Sequence, residues 1–94
     1  MKTLKSFILE ASKKYVWFIN RCNKDFEVEE SIYSSLDSAD KRSFNSEDEA
    51  YKDAVKFFNF WKNEFKKGFF NIEVYEGQDL IMGAEIQDGK LKEF

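Results

Sequence analysis

Residues 46 to 77 read SEDEAYKDAVKFFNFWKNEFKKGFFNIEVYEG, and the spacing of their apolar residues changes part-way along. Before Gly68 the spacing is that of a helix, and beyond it every second position is apolar, as in a strand with one covered face. A helix packed on strands is the simplest way to bury both. Ser46 and Glu49 have capping-box spacing, and Glu47, Asp48 and Glu49 place acid where the helix dipole is positive. Lys62, Lys66 and Lys67 place base where it is negative, and Gly68 is the expected stop. These signals predict one long helix from residue 46 to residue 67.

At 100° per residue, Ala50, Ala54, Phe57, Phe58, Trp61 and Phe65 fall on one side of that helix, with Tyr51 and Val55 at its edge. They are the predicted core stripe. Phe60 falls outside it, bordering a face that carries Lys52, Lys56, Asn59, Asn63 and Lys67. Two readings of Phe60 stand at this point: an anchor for a partner, or a residue covered by another part of the same chain.

On the carboxyl side, Phe70, Ile72 and Val74 alternate with Asn71, Glu73 and Tyr75, and Leu80, Met82, Ala84 and Ile86 form a second alternating set. Gly77 turns the first hairpin. Asp88-Gly89 has the composition of a type I′ turn, which would set Ile86 opposite Leu91 and Glu85 opposite Lys92. On the amino side, YVWFINRC (residues 15–22) is apolar on both alternating faces, as in a strand near the middle of a sheet. The cluster Asn23, Lys24, Asp25 is a turn, and residues 26–34 return as a partner strand with Phe26 and Val28 on one face. SSLDSADKRS reads as a loop, with a short strand ending at Phe44. Ahead of all this, Leu4, Phe7, Ile8 and Ala11 recur at helical spacing and predict a short amphipathic helix. The expected fold is therefore α+β: one domain over 1–94, an antiparallel sheet of four to five strands on one long helix, plus the short N-terminal helix.

Composition narrows the function classes. With 43% hydrophobic and 18% aromatic residues in 94, the chain is too apolar for a disordered tail. No run approaches the roughly 20 apolar residues of a membrane span, and Lys5 and Glu10 interrupt any secretory core, so a cytoplasmic location without membrane contact is expected. Histidine is absent and cysteine occurs once, at Cys22, which leaves no Cys/His pair, no HExxH and no intramolecular disulfide. No nucleophile motif or glycine-rich phosphate loop is present, so the chain reads as a non-enzyme with no catalytic, metal or cofactor residues. Glu27, Glu29 and Glu30 read as solvated, the acids at 47–49 as helix-dipole partners, and Cys22 as a small buried hydrophobe.

Charge is segregated: residues 1–24 carry +5, 25–49 carry −7, 50–67 carry +3 and 68–94 carry −4. The lysine-bearing helix face with Phe60 fits a protein interface, since aromatic residues dominate interface energetics. The alternatives are nucleic-acid binding through Lys52, Lys56, Lys66 and Lys67, with Phe60 and Tyr75 to stack on bases, and homodimerisation through a sheet edge or the aromatic patch. The acidic block 25–49 could instead meet a basic partner. The opening MKTLKSFILEA and the phrase FNSEDEAYKDAVKFF resemble the short accessory proteins of tailed bacteriophages. That resemblance implies expression inside a bacterium and binding to a host protein, and it carries no site residue over.

Overall fold

The computed structural model describes residues 15–37 and 43–93. Five strands form one sheet: β1 (Tyr15–Cys22), β2 (Val28–Ser34), β3 (Phe69–Glu76), β4 (Asp79–Gln87) and β5 (Lys90–Glu93). Their order is β2-β1-β3-β4-β5, and every neighbouring pair is antiparallel. Because β2 and β3 each run antiparallel to β1, they are parallel to one another. Parallel strands need a crossover, and the helix α1 (Glu47–Phe60) supplies it. The result is the expected α+β arrangement of one helix on an antiparallel sheet. The predicted N-terminal helix, with Leu4, Phe7, Ile8 and Ala11, lies outside the described residues.

One face of the sheet makes the core. Trp17 and Ile19 of β1, Phe70, Ile72 and Val74 of β3, and Ala84 and Ile86 of β4 pack against Ala50, Tyr51, Ala54 and Phe58 of α1. Alanines at 50 and 54 let the helix approach while the aromatic rings fill the space beside it. The Trp17 indole reaches across the layer and donates to Asp53 Oδ2 at 2.9 Å, and the Tyr51 hydroxyl donates to Glu93 at 2.6 Å. A helix tied at two levels to strands far apart in sequence cannot slide along the sheet.

The helix entry is as predicted, with Ser46 Oγ accepting from the Glu49 backbone at 3.2 Å. Its exit is not. The α-helix ends at Phe60, Trp61 caps it, and a 3-10 turn follows over Lys62–Phe65. Lys62, Lys66 and Lys67 therefore do not sit in its last turn. The cause is tertiary: the tighter turn swings Phe65 inward against Phe58 and Phe70, at ring separations of 5.4 and 5.0 Å, where it is fully buried. Trp61, predicted as core, is instead 43% exposed.

Gly68 serves the sheet rather than ending the helix. Its φ of +104° suits glycine alone, its N–H donates to Asp88 Oδ1 at 3.0 Å, and its carbonyl accepts from the Asp88 N–H at 3.0 Å. The β3 entry is thus clamped to the β4–β5 turn. That turn has positive φ at both Asp88 (50°) and Gly89 (82°), the type I′ geometry, and its register places Ile86 opposite Leu91 and Glu85 opposite Lys92 as expected. β4 departs from simple alternation. A register shift between Val74 and Tyr75 leaves Ile81 as an extra residue, so Leu80 pairs with Tyr75 and turns to the face away from α1, 55% exposed. Phe44 makes an isolated bridge to Tyr15, so the expected short strand there is one residue pair.

Candidate functional site

The five-ring chain from core to surface begins at Trp17. Its ring lies 5.3 Å from Phe57, Phe57 lies 4.9 Å from Tyr33 and 6.3 Å from Trp61, and Trp61 holds Phe60 edge-on at 5.0 Å and 85°. Phe60 is 77% exposed, more than any other large hydrophobic side chain among the described residues. Behind it, Phe57 packs on Tyr33, whose hydroxyl donates to Glu64, which raises the phenol pKa above its usual value. A shallow hollow of about 280 Å³ lies beside Phe60, lined also by Phe57, Asp53 and Lys56. The site is thus an aromatic ledge with a charged margin, backed by the core rather than by a loop.

The structure distributes the six surface residues expected from the sequence over α1, the 3-10 turn and the segment that follows it. Lys52, Lys56, Asn59 and Phe60 are on α1, all exposed, and Lys52 pairs with Asp48 at 3.2 Å. That pair is open to water and contributes little. Asn63 belongs to the 3-10 turn and Lys67 follows it, so helical periodicity no longer sets their directions. Trp61 lies on the predicted stripe, but it sits at the junction of α1 and the 3-10 turn and is half exposed, a departure that no local signal in the sequence marks.

The other candidate residues have ordinary roles. Glu29 and Glu30 flank Arg21, at 3.8 and 2.9 Å, and Glu27 accepts from the Asn23 side chain at 2.8 Å. No group of three or more potential ligands converges to hold a metal ion among the described residues. None of the described helices is long and apolar enough to cross a membrane.

Cys22 is buried, and burial, with the charges of Glu73, Glu29 and Glu85, pushes its thiol up to about 11. It therefore stays protonated and unreactive through neutral pH. Linkage gives this a sign. Below pH 9 the thiol holds its proton whether folded or unfolded; between about 9 and 11 only the native state keeps it, so stability falls as pH rises. Between pH 8 and pH 10 the thiol's share of that loss is on the order of 1 kcal/mol. A Cys22→Ala variant should lose correspondingly less over the same interval, read from urea midpoints at the two pH values.

Homodimerisation through a sheet edge has little to work with. β5 is four residues long with Lys90 and Lys92, and β2 carries Glu29 and Glu30 beside two register shifts against β1. Short length, charge and bulges are the devices that discourage edge pairing. No protein-family model matches the chain, and neither does any curated protein or solved structure.

Proposed function

We propose that this chain is a small non-enzymatic module that binds a protein partner through the ledge around Phe60. The observation that carries the reading is the pairing of high exposure with support: Phe60 is 77% exposed yet held edge-on against Trp61. A solvated phenylalanine contributes almost nothing to folding. Held in place, it loses little conformational freedom on docking, which is what makes an aromatic residue an effective anchor. Lys52, Lys56 and Asn59 supply a polar margin on the same helix, suited to a partner with an apolar pocket rimmed by acid. Cytoplasmic action on a bacterial host protein, with a phage gene as the source, is the setting that the sequence resemblance suggests.

The nucleic-acid alternative has weaker support, because its four lysines are divided between α1 and the segment after the 3-10 turn. The test compares wild type with Phe60→Asp in pull-downs from bacterial lysate, with and without nuclease. Circular dichroism should show an unchanged fold, since the ring is outside the core. A partner's affinity should fall at least tenfold, the ordinary effect of removing an interface anchor. Equal retention of the same protein by both would move the interface elsewhere, and retention abolished by nuclease would favour nucleic acid.

A further inference from the structure

A cleft of about 440 Å³ lies at the end of the sheet where β1 turns into β2 and β4 into β5. Phe26, in the first of those turns, forms one wall, and the strand pair β4–β5 forms the other. Ala84 and Ile86 face the core, so Glu85 and Gln87 face away from α1, together with their cross-strand partners Lys92 and Lys90. The volume is in the range of small-molecule sites.

The aromatic wall is held in a strained backbone conformation. A phenylalanine with φ of 61° is an outlier, because only glycine takes left-handed backbone without steric cost. Asn23 enforces it. Its side-chain oxygen accepts from the Asp25 and Glu27 backbones, on either side of Phe26, and its carbonyl accepts from the Phe26 N–H. The ring so placed meets Phe69 edge-on at 5.3 Å, over the sheet. Strain that the surroundings over-determine in this way is characteristic of binding sites. On the facing wall, Glu85 and Lys92 stand directly opposite one another, yet neither they nor Lys90 form an ion pair among the described residues. Asp88, by contrast, is engaged by the Gly68 N–H.

We propose that this cleft binds an α-amino acid with a large apolar side chain, as the zwitterion. Its ammonium would lie between Glu85 and the Phe26 ring, its carboxylate would meet Lys90 and Lys92, and its side chain would rest on Phe26 and Leu91. Charge selects this class. A purely anionic ligand would gain two lysines but face Glu85 and Asp88, and a purely cationic one would meet the converse. A zwitterion satisfies both signs, and its two charges, close together on one small molecule, suit Glu85 and Lys92, whose Cβ atoms as cross-strand partners are roughly 5 Å apart. The inference does not rest on the partner-binding reading, since the cleft and the Phe60 ledge are on opposite sides of the sheet.

The test is a titration of the isotope-labelled full chain with L-phenylalanine, followed by amide chemical shifts. Saturable shifts at Phe26, Gln87, Lys90 and Lys92 are expected, with Ala50 and Ala54 of α1 unmoved. Phenylpropionate, which lacks the ammonium, and phenethylamine, which lacks the carboxylate, should each bind at least tenfold more weakly. L-Phenylalanine should lose the same factor with Glu85→Gln and with Lys92→Ala. Phe26→Asn, which supplies a residue tolerant of left-handed backbone, should keep the fold and weaken binding equally. Equal binding of the three probes, indifference to Glu85→Gln and Lys92→Ala, shifts centred on Phe60, or none at about 10 mM ligand would each overturn the proposal. An absence of binding would leave the partner-binding reading untouched.

Discussion

Phe65→Ala should remove about 3–5 kcal/mol of unfolding free energy, a large share of the total for a chain of this size. The ring is fully buried where the 3-10 turn, α1, β2 and β3 meet, with Tyr33, Phe58 and Phe70 at 6.0, 5.4 and 5.0 Å. Truncation would forfeit the transfer of the ring from water and leave a cavity whose walls are themselves held by strands and helix, so they cannot collapse to fill it. In urea, with a slope of about 1 kcal/mol per molar, the midpoint should fall by about 3–5 M. Phe60→Ala is the internal comparison: the same residue type five positions earlier, exposed, and expected to change stability by less than about 0.5 kcal/mol. Similar small losses in both would mean that the turn after α1 is not docked as described.

The second large effect is Asn20→Asp. Asn20 lies on the sheet face away from α1 yet is only 1% exposed. Its amide donates to Asn71 Oδ1 at 2.9 Å and Glu73 Oε1 at 2.7 Å, while its own oxygen accepts from the Ser31 hydroxyl at 2.6 Å. Exchanging the amide for a carboxylate would replace both donated hydrogen bonds with repulsion, buried against the carboxylate of Glu73. A buried unpaired charge of this kind costs about 3–5 kcal/mol.

The pH dependence of that cost has a definite sign. The new carboxyl would titrate higher folded than unfolded, so the deficit grows as pH rises through the unfolded value of about 4 and shrinks when acid protonates it. Denaturation at pH 7 and pH 4 should show partial recovery in acid relative to wild type, and Glu73→Gln combined with Asn20→Asp should recover much of the loss at pH 7. A deficit indifferent both to acid and to Glu73→Gln would refute the electrostatic account.

Much of this architecture is legible in the chain wherever the signal is local. Ser46 with Glu49 announces the start of α1, Asp88-Gly89 specifies a turn that admits only one register, and the off-stripe angle of Phe60 already separates it from the core. Signals that depend on contacts distant in sequence are not legible. KNEFKK carries no glycine or proline to stop a helix, and only the buried seat of Phe65 explains why the α-helix yields to a tighter turn at Trp61. Leu80 has the right spacing to face inward, and only the extra residue at Ile81 turns it out. Phe26 adopts φ of 61°, which nothing about a phenylalanine forecasts. The Asn23 side chain, by accepting from the Asp25 and Glu27 backbones at 2.8 and 3.0 Å, holds the loop that requires it.

The order β2-β1-β3-β4-β5 has a consequence for how the chain folds. Two groups of strands are joined by neighbours in sequence, β1 with β2 and β3 with β4 and β5, and each can zip from its own turn. The seam between β1 and β3 is different, because its partners, from Cys22 with Phe69 to Tyr15 with Glu76, are dozens of residues apart. Closing so long a loop costs entropy before any contact returns it, so the transition state should be the moment when α1 brings the two hairpin units together. Ile19 and Ile72, paired across that seam and fully buried, would then govern the folding rate, while residues at the two outer strands would mainly govern how fast the protein comes apart.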